Sequence, residues 1–364
     1  MNFPKLSDER RRQLLAPPTK PVRLFFDTDT KNEIDDQFAV AWALLSPEQI
    51  KIEAVVGVPF SFQYRVDELS HAYELQSRGN SAKRTIAEQE LLVRYEGQLE
   101  RLAKLNIHPN DLKQDGPGIG MERSYQEILV TYEKLGLDPK GKVFRGSDRY
   151  LTSLDDPVRS PGAERLVELA MASPDDSPLY IAATGCATNI ASALLIEPEI
   201  VNKIVVTWTS GYPTSVNAPN YSFNLEQDML ASKLLFDSGV PLVYLPGFHI
   251  GAQLRLSLPE MELWVKGKGA IGDYLYWLYM NNPIRAMEGI TDHYGRTWII
   301  WDLINVAWLL NPKWLPSELI PAAILGDDKK WRRDVPGRHL IREAYEIDRD
   351  SIFRDFFRKL ENAP

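Results

Sequence analysis

The densest concentration of reactive side chains is the run Leu24-Phe-Phe-Asp-Thr-Asp-Thr-Lys-Asn-Glu-Ile-Asp-Asp-Gln-Phe-Ala-Val40. An apolar strand pattern delivers Asp27 and Asp29, a short loop follows, and Asp35 and Asp36 open a helical pattern. Five carboxylates thus fall within ten residues. If they converge, each close pair repels by about a few kcal/mol at an effective dielectric near 20. A divalent cation removes that cost, and all-oxygen ligands favour Ca²⁺ or Mg²⁺ over softer metals. Asp302 poses the same problem elsewhere, inside Trp298-Ile-Ile-Trp-Asp-Leu-Ile-Asn-Val-Ala-Trp-Leu-Leu310. A buried, unpaired carboxylate costs several kcal/mol or takes up a proton. A cation shared with the N-terminal loop resolves both; a neutral or hydrogen-bonded core aspartate is the alternative. Leu179–Leu195 reads as strand, turn and helix, with Thr184 at the strand's carboxyl end. Its main-chain oxygen could complete a metal shell, although simple capping by Thr184 or Thr188 would need no such role.

These residues require a frame. Short β-rich runs at 22–26, 52–58, 142–145, 179–183, 204–208 and 242–245 alternate with helical patterns at 36–45, 163–172, 189–195 and 229–237. Such alternation predicts an α/β fold with a mainly parallel sheet. Ligands then bind at the carboxyl ends of the strands, where the aspartates and Thr184 fall. One segment breaks the rhythm: residues 62–115 are polar and helical in pattern, with no strand. They are expected to form a helical insertion within a single domain spanning 1–364, as plain surface, a lid or an oligomer contact. Asp115-Gly-Pro-Gly-Ile-Gly120 reads as a flexible joint returning the chain to the core. Its glycines do not lie between a strand and a helix, which rules out a dinucleotide fingerprint. The last fifty residues are expected to close the fold at its edge.

Composition bounds the function. Hydrophobic residues make up 44% and charged residues 25% of the 364, which excludes general disorder. Against 50 acidic residues stand 42 Lys and Arg, a net charge of −8 that disfavours nucleic acid as a partner. The one cysteine, Cys186, excludes an intramolecular disulfide and any multi-cysteine metal site. The first residues are charged where a signal peptide needs an apolar core. Trp298–Leu310 is shorter than the roughly 20 residues that cross a bilayer. The expectation is a soluble cytoplasmic protein with no membrane partner.

The motifs as a set resemble the inosine-uridine-type nucleoside hydrolase family. They are Asp-x-Asp with a following Asp-Asp, the Thr184-Gly-x-x-Thr-Asn-Ile-Ala-x-Ala-Leu194 segment, Phe223-Asn224, and Asp302 in an apolar helix. The resemblance covers roughly 22–60 and 143–312. It implies a seven- or eight-stranded, mostly parallel sheet flanked by helices, a Ca²⁺ at the strand ends, and hydrolysis of N-ribosidic bonds in a small-molecule riboside. Carried over, Asp29 resembles the carboxylate that binds the cation and takes a proton from the attacking water. Asp36, the Thr184 carbonyl and Asp302 resemble the other metal ligands. Asp35 resembles the residue that holds the ribose hydroxyls, Asn224 the sugar-binding asparagine, and Asp27 a support of the loop. Dimers and tetramers are common in the resembled family, but nothing in this sequence marks an interface.

Four features depart from the family pattern. Five residues separate Asp29 from Asp35, two more than usual. Ser222 stands where a glutamate usually holds the 5′-hydroxyl, and Gly57-Val-Pro-Phe60 lacks an expected asparagine. Trp301 replaces a histidine used as leaving-group acid in one branch; purine-preferring members have Trp there and stack the base. Trp301 and Trp208 are therefore candidate stacking walls, with ordinary core packing as the alternative. His293 and His249 are candidate acids, although a lone histidine is more often structural, and Arg296 could hold an anionic or polar substituent. Two rival readings share the first strand. Leu24–Thr30 with Ile324-Leu-Gly-Asp-Asp-Lys329 resembles a haloacid dehalogenase-like, Mg²⁺-dependent phosphatase. A calcium-dependent riboside-binding protein without catalysis is the other.

Overall fold

The β1 strand, Val22–Thr28, is buried at every position but Arg23 because both of its faces are covered. Leu24 and Phe26 point to one face and Phe25 to the other, each fully buried. The computed structural model describes residues 3–79, 84–287, 290 and 292–364. In chain order the remaining strands are β2 (Ile50–Gly57), β3 (Val143–Arg145), β4 (Leu179–Ala183), β5 (Ile204–Ser210), β6 (Leu242–Pro246), β7 (Arg255–Ser257), β8 (Thr297–Ile299), β9 (Ser317–Pro321), β10 (Ile324–Leu325), β11 (Trp331–Arg332) and β12 (Leu340–Ala344). Eight form one sheet in the order β3-β2-β1-β4-β5-β6-β12-β9. All its pairings are parallel except β12 with β9. The α/β sheet expected from the sequence is therefore present, mostly parallel and eight-stranded.

Helices cover both faces. Asp35–Leu44, Gly269–Met280, Leu303–Leu310 and Arg349–Glu361 pack over the Leu24 and Phe26 side, around Trp42 and Trp308. Pro161–Met171, Thr188–Ile196 and Met229–Asp237 pack over the Phe25 side, around Trp208 and Tyr244. From β1 the chain moves outward through β2 and β3, then returns to β4 on the other flank of β1. The strand order reverses at β1 and β4, and a crevice opens at their carboxyl ends. No described helix is long and apolar enough to cross a membrane.

The segment 62–115 contributes two described helices, Gln63–Ser77 and Ile86–Leu105, the second started by a Thr85–Glu88 capping box. They share a small apolar cluster of Leu69, Ala72, Tyr95 and Leu99. The glycine-rich stretch after them is not a joint. Gly116 caps a helix running Pro117–Lys134, with Pro117 in its first turn. Glycine is used there for closeness: a Cβ on Gly120 would lie 2.0 Å from the Phe60 carbonyl oxygen.

A buried ion cluster ties these helices to the sheet. Glu226, with a side chain only 1% exposed, accepts from Arg94 at 3.1 Å and Lys329 at 2.5 Å. Both cations also reach Glu68, and Arg94 lies 3.8 Å over the Tyr221 ring. Removing Glu226 would leave two cations facing one another without their buried partner. Glu226→Ala is expected to lower the unfolding free energy by roughly 3 kcal/mol, the low end for a broken buried pair because Arg94 and Lys329 keep some solvent. Urea denaturation measures this, and a loss under about 0.5 kcal/mol, the scale of a neutral surface change, would contradict it.

Candidate active site

The carboxyl end of β1 carries Asp27 and Thr28 straight into Asp29, whose carbonyl closes a turn by accepting from Lys31 and Asn32. The loop that follows is anchored. Lys31 Nζ reaches Glu127 at 2.7 Å, Gln37 Nε2 donates to the Thr30 carbonyl at 2.6 Å, and Thr30 Oγ1 donates to the Ser124 carbonyl at 2.8 Å. Glu127 also accepts from Gln37 and from the Tyr274 hydroxyl. The loop then enters the Asp35–Leu44 helix, so Asp35 and Asp36 occupy its first turn. The partial positive charge of a helix N-terminus favours carboxylates there.

Asp29, Asp35, Asp36 and Asp302 are each no more than 3% exposed. Carboxylate oxygens of Asp35, Asp36 and Asp302 lie within 4.8 Å of one another. Thr28 Oγ1 and Thr184 Oγ1 both donate to Asp36 Oδ1, at 2.5 and 2.8 Å. By contrast, both oxygens of Asp29 and Oδ1 of Asp35 are buried with no hydrogen-bond partner. Burial, then repulsion from Asp36 and Asp35, holds the Asp29 carboxyl well above the usual carboxylate range. Burial, then the charges of Asp35, Asp36 and Asp29, does the same to Asp302. Burial lifts Asp36 to about 6 and Asp27 to about 7, the latter against a hydrogen bond from Asn189.

A hard divalent cation fits this donor set. Buried carboxylate oxygens converge from two chain segments, those of Asp29 and one of Asp35 have no partner among the described residues, and no described cation pairs with them. Asp36, Asp302, Asp35 and the Thr184 carbonyl are the oxygen donors on hand. The tight trio includes Asp35, which the resemblance assigned to the sugar, whereas Asp29 stands beside it. The Thr184 carbonyl accepts from Asn224 Nδ2 at 2.7 Å, leaving its second lone pair.

Several positioning residues were not singled out from the sequence. Fully buried Asn305, one turn after Asp302, donates to the carbonyls of Ala183 and Thr207 at 3.0 and 2.9 Å. It also accepts from the Thr209 hydroxyl, so it pins the Asp302 helix to the ends of β4 and β5. Gly185 leaves room for Asp29: a Cβ there would lie 3.0 Å from the Asp29 carboxyl carbon. Trp208, a candidate stacking wall, is fully buried beneath the site and donates from Nε1 to the Gly185 carbonyl at 3.0 Å. It supports the Thr184 turn from below rather than facing a ligand.

Above the carboxylates a cleft is lined on one wall by Tyr221, Ser222, Phe223, Asn224 and Arg65, and on the other by Phe248 and Trp301. Ser222 Oγ lies 3.1 Å from Ser210 Oγ. Arg65, from the 62–115 helices, lies 5.2 Å over the Phe223 ring. Phe248 and Trp301 meet edge to face at 6.0 Å. Neither candidate acid lines the cleft. His249 is exposed beside Tyr212 at a φ of +71°, and His293 contacts the Arg285 guanidinium through Nδ1. Burial and the Arg285 charge lower the His293 pKa. The second acidic motif, Asp327-Asp328, is also elsewhere, exposed and paired with Lys233 and Arg332.

Comparison with known proteins agrees with this architecture. The model of the inosine-uridine preferring nucleoside hydrolases matches residues 24–344. The pyrimidine-specific ribonucleoside hydrolase RihB of Escherichia coli is 26% identical over 179 residues, which are 46% of this chain and 55% of that relative. The sequence match thus spans little more than half the relative's length. A purine-preferring ribonucleoside hydrolase from Gardnerella vaginalis shares the fold at a TM-score of 0.61 and 18% identity, over 94% of this chain and 98% of that one. So does the plant nucleoside hydrolase PpNRh1, at 0.59 and 16%, over 94% and 100%. A Bacillus anthracis inosine-uridine preferring nucleoside hydrolase gives 0.56 and 16%, over 93% and 99%. The family match runs from the first strand of the sheet through β12, across every segment that builds the carboxylate cluster, and this chain belongs to the inosine-uridine preferring nucleoside hydrolase family.

Proposed function

We propose that this protein hydrolyses the N-glycosidic bond of ribonucleosides or related ribosides, with Ca²⁺ as its cation. One observation carries the reading: buried carboxylates from the β1 loop and from the Asp302 helix converge at the reversal point of a parallel sheet, beneath a cleft with aromatic walls. The cation, when bound, neutralises the cluster, polarises water and orients a sugar diol. Asp36, Asp302, Asp29 and the Thr184 carbonyl would hold it.

The remaining work falls to the chain itself. Asp29, whose oxygens have no protein partner, accepts the proton of the attacking water. Asp35 and Asn224 face the cleft and hold the ribose hydroxyls. Ser222 offers only a short hydroxyl toward the rest of the sugar. Trp301 and Phe248 stack the leaving base. Glycosidic cleavage passes through an oxocarbenium-like state, and water entering opposite the base inverts the anomeric carbon. Neither His249 nor His293 lines the cleft, so the base departs protonated by solvent or as a good leaving group.

Released base is the direct readout, with uridine, inosine and nicotinamide riboside as test substrates and EGTA as control. Turnover is expected to require the cation, and Asp29→Asn to lower kcat/KM by roughly 10²–10⁴-fold, the range for a lost general base. Riboside binding without release would favour the non-catalytic reading instead. A second expectation concerns pH. Burial holds Asp27 and Asp36 near 7 and 6, against 3.8 in the unfolded chain, so the folded protein binds protons that the unfolded chain releases. Stability of the cation-free protein is therefore present at acid pH and is lost as pH rises through about 6 to 7. Thermal melts in EGTA should fall from pH 5 to pH 8, and added CaCl₂ should raise the pH 8 melt more than the pH 5 melt. A cation effect equal at the two pH values would contradict this.

A further inference from the structure

Trp301 lines a second cavity as well, of about 460 Å³, whose other lining residues are not those of the cleft. The floor is the antiparallel ribbon of β7 and β8, which pairs Arg255 with Ile299 and Ser257 with Thr297. Arg255, Arg285 and Arg296 all line this cavity, and no described lining residue is acidic. Arg285 is 3% exposed, and its Nη2 is buried with no hydrogen-bond partner among the described residues. Its guanidinium touches His293 Nδ1 and lies 4.5 Å over Tyr279 and 5.4 Å from the Trp298 centroid, and it pairs with no carboxylate among the described residues. The indole Nε1 of Trp298, which lines the same cavity, is a second buried donor without a partner. Among the described residues the one ion pair of Arg296 is loose, with Asp292 at 3.9 Å, itself 63% exposed.

Buried donors without acceptors are costly, and a charged one more so. Three arginines lining one cavity also repel each other. An oxyanion relieves both penalties, because its several acceptor oxygens match the fixed fork of arginine donors. We propose that this cavity is an anion site for a phosphate-sized oxyanion, with Arg285 as the buried anchor and Arg255 and Arg296 closing over it. The anion is either free in solution or a substituent of a riboside whose base stacks on Trp301. The riboside source rests on the proposed function; the anion site itself does not, since sulfate binding needs no turnover.

Calorimetric titration of the calcium-loaded protein with sulfate tests it, because sulfate has the phosphate geometry without precipitating calcium; sodium chloride at matched ionic strength is the blank. Saturable binding of one sulfate per chain is expected. Arg255→Gln and Arg296→Gln, both exposed positions that should fold normally, are each expected to weaken it roughly tenfold or more, the scale of a lost charged hydrogen bond. No saturable binding, or affinity unchanged within about twofold in both variants, would overturn the proposal. The source follows from competition. Sulfate displaced by a riboside with a carboxylate on its base, but not by uridine, assigns the site to a substrate substituent. Sulfate retained against both assigns it to a free anion.

Discussion

Four aspartates with almost no access to water meet in one small space, and the surrounding structure is arranged to tolerate that meeting. With oxygens within 4.8 Å, each ionised pair in the Asp35, Asp36 and Asp302 trio repels by at least roughly 3 kcal/mol at an effective dielectric near 20. Neutral donors relieve part of it: Thr28 and Thr184 both turn their hydroxyls on Asp36. Helix geometry relieves more, since Asp35 and Asp36 open a helix and Asp302 immediately precedes another. What is left over, the unpartnered oxygens of Asp29 and Asp35, is the part a cation must supply.

The sheet makes the convergence rigid. Parallel strands buried on both faces end in register, so the exits of β1, β4 and β5 lie side by side and their first loop residues meet. Amides then lock the exits together. Asn189 spans from Asp27 to the Ser147 amide, Asn224 from the Thr184 carbonyl to that of Thr209, and Asn305 from the Ala183 carbonyl to that of Thr207. Asn224 and Asn305 satisfy carbonyls near the strand ends, and Asn189 joins a carboxylate oxygen to a backbone N–H. The carboxylates are held by groups that cannot themselves change charge, so a proton or a cation at the cluster need not disturb the frame.

Much of this was legible in the sequence, for physical reasons. Apolar runs ending in aspartate are rare enough to mark sheet exits, and the strand-helix alternation announced a parallel sheet. An apolar helix containing Asp302 required a partner for that charge. Other features were not legible. The β9 and β12 strands carry Glu318, Arg342 and Glu343, and their charges hide the strand pattern. Arg342 fits only because the carbonyls of Leu15 and Ser317 receive its guanidinium. The Gly116–Gly120 run reads as a hinge until the approach of Phe60 is known. Trp208 and Trp301 are indistinguishable by type, and only tertiary packing sends one beneath the site and the other to its wall. Arg65 and Glu127 act from far along the chain, and no local pattern marks them.

Calcium uptake tests most directly whether the carboxylate cluster is a cation site. Titration calorimetry of EGTA-treated, desalted protein near pH 6.5, repeated in buffers of different ionisation enthalpy, reads both the ion and the protons it displaces. The predicted result is one Ca²⁺ per chain with net proton release, because burial keeps the aspartates partly protonated until the cation arrives. Asp302→Asn should weaken that uptake severely. Absence of saturable uptake, or uptake unchanged in the Asp302→Asn variant, would contradict the account.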